Sequence, residues 1–167
     1  RSRTHARVMP QLFSSLNSGT LWWNYQGHAN EFVLTHEDLY VNSQDAPDSD
    51  DKWKFSNTSM PVIFSAFSCH ANMFARRNGL PFPLGVLGGC LGEDMVTLPQ
   101  RGAIASWASV CYEIVPSDDS THVNVELARA MFANPPRDPQ LWDHGSRVVL
   151  GEAIQAAYLR YLPMVFS

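Results

Sequence analysis

The chain has 167 residues, 45% hydrophobic and 17% charged, enough apolar material for one domain with a real core and too much for bulk disorder. Its formal net charge of −4, with no Arg/Lys run beyond the first few residues, offers no basic footprint for nucleic acid. No apolar stretch is long enough to cross a bilayer, and three cysteines without a CxxC pair or an HExxH motif make neither a disulfide framework nor a zinc site.

Arg1 stands in place of an initiator Met, and residues 1–10 lack the apolar core of a signal peptide, so the chain reads as a piece of something longer, whether cut by design or by processing. Val8, Leu12, Phe13 and Leu16 fall at helical offsets and predict a short amphipathic helix over 8–16, closed by Asn17-Ser18-Gly19. Residues 20–25 are rich in aromatics and predict a buried strand, with Trp22 and Trp23 as core. Thr35 followed by Asp38 predicts a capped helical turn. Residues 42–57 are polar and acidic and read as an exposed loop; Asp45, Asp48, Asp50 and Asp51 are weak calcium candidates there, without the spacing of an EF-hand.

Residues 61–68 predict a second buried strand, with Pro61 at its tolerated first position. Residues 71–83, with Arg76-Arg77-Asn78-Gly79 and two prolines, read as a loop. A helix is expected over 87–98, stopped by Pro99, then a third buried strand over 102–110. Helices over 120–132 (Val123, Leu127, Ala130 and Met131 on one face) and 147–162 (Ile154, Ala157, Tyr158, Tyr161 and Leu162) flank a proline-rich break at 134–139, and Pro163 is expected to end the last helix. Strands alternating with helices indicate an α/β layered fold with a mostly parallel sheet. Three clear strands are few for such a sheet, so the fold is expected to be incomplete without an upstream segment or a partner chain.

The first strand runs into Gly27-His28-Ala29 and the second into Cys69. Strands that end on an imidazole and on a thiol, 41 positions apart, can bring the two together at the carboxyl edge of a parallel sheet, where ligands of such sheets bind. A lone histidine at a strand end is usually structural, and a free cysteine is often inert packing, so it is the pair that carries weight. A histidine some 50 residues upstream of a nucleophilic cysteine is the caspase arrangement. Small residues around His28 also leave N–H groups open to an oxyanion. Cys90, after Gly88-Gly89 at a helix start, reads as a small core residue, whereas Ser109, Val110 and Cys111 at the end of the third strand are substrate-pocket candidates. His70 is expected to point away from Cys69 by strand alternation, and His5, His36, His122 and His144 read as surface residues.

These segments resemble the gingipain-type cysteine peptidases of the caspase–legumain–separase group. Trp23-Asn24-Tyr25-Gln26-Gly27-His28-Ala29-Asn30-Glu31 is similar to the family's Asn-Tyr-x-Gly-His-Gly block, and 62–69 followed by Phe74 is similar to the strand leading into the catalytic cysteine. Cys90-Leu91-Gly92-Glu93, then Gly102-Ala103-Ile104-Ala105, and the closing Leu150-Gly151-Glu152-Ala153 are similar to its later helix and strand, so that the resemblance covers about residues 20–162. It implies a caspase-like three-layer α/β/α sandwich and peptide hydrolysis through a thiol. Cys69 matches the nucleophile, His28 the histidine of the dyad, and the N–H groups of Ala29 and Cys69 the oxyanion hole.

It further implies a secreted, cell-surface or periplasmic setting, a peptide or protein substrate, and no required cofactor, a structural calcium being the one open. The division expected is 1–19 as lead-in helix and linker, 20–163 as catalytic subdomain and 164–167 as tail. Three features depart from the family. Ala29 replaces a Gly and would be strained if φ there were positive. His70-Ala71-Asn72 lacks the Gly often found after the cysteine. In the family the first strands, and an acidic residue that orients the histidine or reads a basic substrate side chain, lie upstream of the Gly-His block, where this chain has only 27 residues. The rival expectation is a peptide-binding or assembly module of the same fold without turnover, or a sortase-like transpeptidase. A His28 ring packed into the core would favour the module.

Overall fold

Strand alternation turns Trp23 and Tyr25 inward and Asn24 and Gln26 outward along β1 (Trp22–Gln26), the first element of a three-stranded parallel sheet. The structure, a computed structural model, describes residues 8–42, 50–74, 89–113, 122–132 and 149–165. In chain order these form α1 (Val8–Asn17), β1, β2 (Val33–Leu34), β3 (Tyr40–Val41), a 3-10 turn (Asp51–Lys54), β4 (Val62–Phe67), α2 (Leu91–Thr97), β5 (Ala103–Ala108), α3 (Val123–Phe132) and α4 (Leu150–Val165). The chain divides into two compact units, Arg1–Glu113 and Ile114–Ser167.

In the first unit the sheet order is β1-β4-β5, with Trp22↔Ile63 through Gln26↔Phe67 and Ile63↔Ala105 through Ala66↔Ala108 in register. β4, between two neighbours, is buried almost throughout, as a central parallel strand requires. Val62, Phe64 and Ala66 join Trp23 and Tyr25 in a core completed by Met9, Phe13 and Leu16 of α1, by Leu91, Met95 and Leu98 in and after α2, and by Leu34, Tyr40 and Phe55. Phe13 stacks on Tyr40 and meets Phe55 edge-on, so α1 is integral to this core. The parallel sheet with helices packed on it is a mixed α/β body consistent with the expected caspase-like α/β/α sandwich. In the second unit α3 and α4 pack on one another around Val123, Leu127, Ala153 and Ala157.

Several expectations need correction. Val8 is exposed and Met9 takes its place on the buried face of α1. Thr35 does not cap a helix: it has φ +66 and turns the antiparallel β2–β3 hairpin, its Oγ1 accepting from Glu37 N and Leu39 N. The acidic stretch is not simply an exposed loop, since Asn42, Asp50, Asp51, Phe55 and Asn57 are buried. Phe55 supplies the apolar anchor and Lys52 and Lys54 neutralise the carboxylates that go in with it. β5 is an edge strand, largely half-buried and with Ile104 69% exposed, because it has only one strand neighbour among the described residues.

α2 starts at Leu91, with Cys90 as its extended N-cap residue. α4 runs through Pro163 to Val165, although Pro163 lacks the N–H that would bond the carbonyl of Leu159, itself an exposed residue. Along α4, Ala153 and Ala157 are the buried positions, while Tyr158 and Leu162 are exposed. His122 is not at the surface: it is buried at the start of α3, its Nδ1 accepting from Asn124 N and its carbonyl from Val125 N and Glu126 N. Residues 75–83 of the expected 71–83 loop, the 134–139 break, His5, His144, Asp45 and Asp48 lie outside the described residues.

Candidate active site

The last rung between β1 and β4 pairs Gln26 with Phe67, and Gly27 N then donates to Phe67 O at 3.3 Å. Two residues beyond that rung stand His28 on one strand and Cys69 on the other. The register therefore carries both expected site residues past the same carboxyl edge of the sheet, where open parallel sheets bind ligands.

Gly27 lets β1 turn off the sheet. Its φ is +151, a region that side chains rarely enter, and a Cβ there would stand 2.7 Å from Tyr25 Oη. The His28 carbonyl beyond it accepts from Tyr25 Oη at 2.6 Å and from Thr35 N at 2.9 Å. Ala29 then forms an isolated bridge with Leu34, tying the segment to the hairpin. Ala29 has a negative φ, so the strain expected if the family's Gly position needed a positive one does not arise. The His28 side chain is exposed rather than packed in the core, and its ring lies against His36, centroids 5.2 Å apart and planes at 52°.

Cys69 begins a turn after β4 and is a half-buried free thiol. Its Sγ accepts from Glu113 N at 3.4 Å and lies 3.8 Å from Glu113 O. His70 does not continue the strand alternation; it takes φ +60, a left-handed conformation that histidine tolerates better than most side chains. Its ring packs edge-on against Tyr112 at 4.6 Å, and its buried Nδ1 has no hydrogen-bond partner among the described residues.

The turn is stitched to the segment after β5: His70 N donates to Cys111 O and Asn72 N to Ser109 O, both at 2.9 Å. Ser109, Val110 and Cys111, the expected pocket residues, thus lie alongside the Cys69 turn, Val110 and Cys111 exposed and Ser109 bonded through Oγ to Cys111 N and O. Among the described residues, neither Ala29 N–H nor Cys69 N–H meets an acceptor.

Beneath the turn, the buried Asn72 amide donates to Ala71 O (3.2 Å) and Ser106 Oγ (2.8 Å) and accepts from Ala108 N (3.1 Å). Gly92 N holds Ala71 O at 3.0 Å. Cys90 is buried, and burial pushes its thiol up from the usual range, against the lowering pull of nearby backbone N–H groups. Asp50 and Asp51 are taken up by the chain itself. Asp50 pairs with Lys52 at 3.2 Å, and Asp51 accepts from Val41 N at 2.8 Å and pairs with Lys54 at 2.7 Å. Burial raises Asp50 despite its cation. Burial also depresses Lys52, but hydrogen bonds to Asp50 and Asp94 outweigh it, so its ammonium is held more firmly than usual. No group of three or more His, Cys, Asp or Glu side chains is placed to hold a metal ion among the described residues.

The sequence did not single out Tyr25, Thr35, His36 and Glu113 as neighbours of the site. For Tyr25 a signal existed: a tyrosine on the inward face of β1 must find a partner for its hydroxyl, and the turn two residues on is the nearest source. Glu113 acts through its backbone, which no residue type announces.

A parallel α/β body of this kind is the class to which the caspase-like hydrolases belong. The chain belongs to peptidase family C25, the gingipain family, whose family model matches residues 1–165. That membership implies cysteine peptidase activity on a peptide or protein. No curated protein and no solved structure matches the chain. No helix among the described residues is long and apolar enough to cross a membrane.

Proposed function

We propose that the protein is a cysteine endopeptidase in which Cys69 is the nucleophile, His28 its acid/base partner, and the N–H groups of Ala29 and Cys69 the oxyanion hole. The observation that carries this reading is the β1/β4 register, which sets His28 and Cys69 at equivalent steps past one sheet edge. An unassisted thiol is only a few per cent thiolate near neutrality, so the imidazole accepts the Sγ proton as sulfur attacks the scissile carbonyl. The S–C bond forms, the C=O π pair moves to oxygen, and two N–H groups without other acceptors among the described residues receive it. The imidazolium then gives its proton to the leaving amine as the C–N bond breaks; water next gives a proton to the imidazole and adds to the thioester carbon, and the C–S bond breaks with that proton passed to sulfur as the acid leaves. In the free protein Cys69 Sγ rests against the Glu113 backbone, a contact that incoming substrate replaces.

β1 has one strand neighbour among the described residues, and a further strand from an upstream segment or second chain of the same precursor would extend the sheet on that side. Secretion or display at the cell surface fits such processing. A transpeptidase would share every step up to the acyl-enzyme and differ only in its acceptor, so product analysis with an added amine separates the two. The test of the site is covalent: a peptidyl electrophile given to the assembled protein modifies Cys69 and spares Cys90. Modification of Cys90 instead, or none in a folded sample, would overturn it.

A further inference from the structure

A trans peptide is one rigid plane in which C=O and N–H point in opposite directions. Whatever grips the carbonyl of His28 therefore aims the N–H of Ala29. Two groups grip it: Tyr25 Oη at 2.6 Å and Thr35 N at 2.9 Å. Tyr25 is itself fixed, buried to 8% exposure in the core beside Trp23 and Phe64. Gly27 is the residue that lets the chain pass over it, since any Cβ there would press on the same hydroxyl at 2.7 Å. Burial pushes the Tyr25 hydroxyl up, with backbone N–H of Thr35 pulling the other way, so the group stays protonated and remains a donor at neutral pH. Donation to the carbonyl also polarises the peptide and strengthens its N–H as a donor.

We propose that Tyr25 is a positioning residue for the oxyanion hole: its hydroxyl holds the His28–Ala29 peptide so that Ala29 N–H faces the oxygen of a tetrahedral adduct on Cys69. The inference rests on the peptidase reading and deepens it, because it separates support of the oxyanion from reactivity of the thiol.

The experiment compares the wild-type precursor-derived protein with Tyr25→Phe in two reactions at Cys69. In the first, carbonyl-13C-labelled N-acetyl amino aldehydes with apolar, basic and acidic side chains form a hemithioacetal. The Sγ proton passes to the His28 imidazole as sulfur adds to the aldehyde carbon, the π pair moves to oxygen, and that oxygen takes the N–H bonds. In the second, iodoacetamide alkylates the thiol with loss of iodide and creates no oxyanion. Tyr25→Phe should weaken the hemithioacetal roughly tenfold and leave the alkylation rate within about twofold.

Equal hemithioacetal affinity in both proteins would overturn the proposal, as would a matching fall in both reactions, the signature of general loosening. A folded wild type that forms no hemithioacetal at Cys69 with any aldehyde would overturn the peptidase reading, and this proposal with it.

Discussion

Replacing Gly92 by Ala tests how the turn that carries Cys69 is held. Gly92 lies in the first turn of α2, against the buried Asn72 amide. An added Cβ would stand 1.7 Å from the amide head of Asn72 and 2.2 Å from Ser106 Oγ. The amide must withdraw by more than about 1 Å, which breaks its bonds to Ala71 O, Ser106 Oγ and Ala108 N. Overpacking costs about 1–3 kcal/mol and stranded buried polar groups about 1–3 kcal/mol more, against a gain of at most about 1 kcal/mol in helix propensity. A net loss of about 1–5 kcal/mol corresponds to a fall in Tm of roughly 2–20 °C for a domain of this size. Thermal and urea unfolding measure it, and the triple change Gly92→Ala, Asn72→Ala, Ser106→Ala, which clears the space, should unfold later than Gly92→Ala alone. A single variant within about 2 °C of wild type would refute the packing argument.

Gly27→Ala should lower peptidase turnover by at least tenfold at temperatures where it stays folded. A side chain at φ +151 costs about 1–3 kcal/mol and crowds the hydroxyl that holds His28, so unchanged turnover would contradict the account. Tyr40 is fully buried, and burial, with Asp50, Asp51 and Asp94 nearby, holds its hydroxyl well above the usual tyrosine range. The folded chain keeps that proton more tightly than the unfolded one, so this contribution is complete below about pH 10 and is lost as pH rises beyond it. The Tyr40 hydroxyl has no hydrogen-bond partner among the described residues, so Tyr40→Phe should match or exceed wild-type stability by up to about 1 kcal/mol at pH 7 and lose less above pH 10. Urea unfolding at several pH values decides it, and an unchanged alkaline slope would count against it. Cys90 should resist thiol reagents in the native state and react only on unfolding, as mass spectrometry of labelled peptides would read.

The sheet was legible because its strands are apolar runs with sharp ends, and those ends are the residues that matter: Gly27-His28 after β1 and Cys69 after β4. The helix over 8–17 was equally plain from its periodicity. What escaped is local chemistry that imitates another structure. Thr35 bonds two downstream amides as a helix cap does, yet it turns a hairpin whose strands, two residues each, are too short to show alternation. Asp50 and Asp51 read as solvent-facing until Lys52 and Lys54 are seen to neutralise them beside Phe55. His122 takes a capping role more familiar in Ser, Thr or Asp. At the site, the grip on the His28 carbonyl and the contact of Glu113 with Cys69 run through main-chain atoms, which side-chain spacing does not encode.

The most direct trial is turnover of an unfolded protein substrate by the protein, comparing wild type, Cys69→Ala and His28→Ala. The account predicts cleavage by wild type, none above background for Cys69→Ala, and a loss on the order of 10²-fold or more for His28→Ala. Cleavage by Cys69→Ala at the wild-type rate would contradict it.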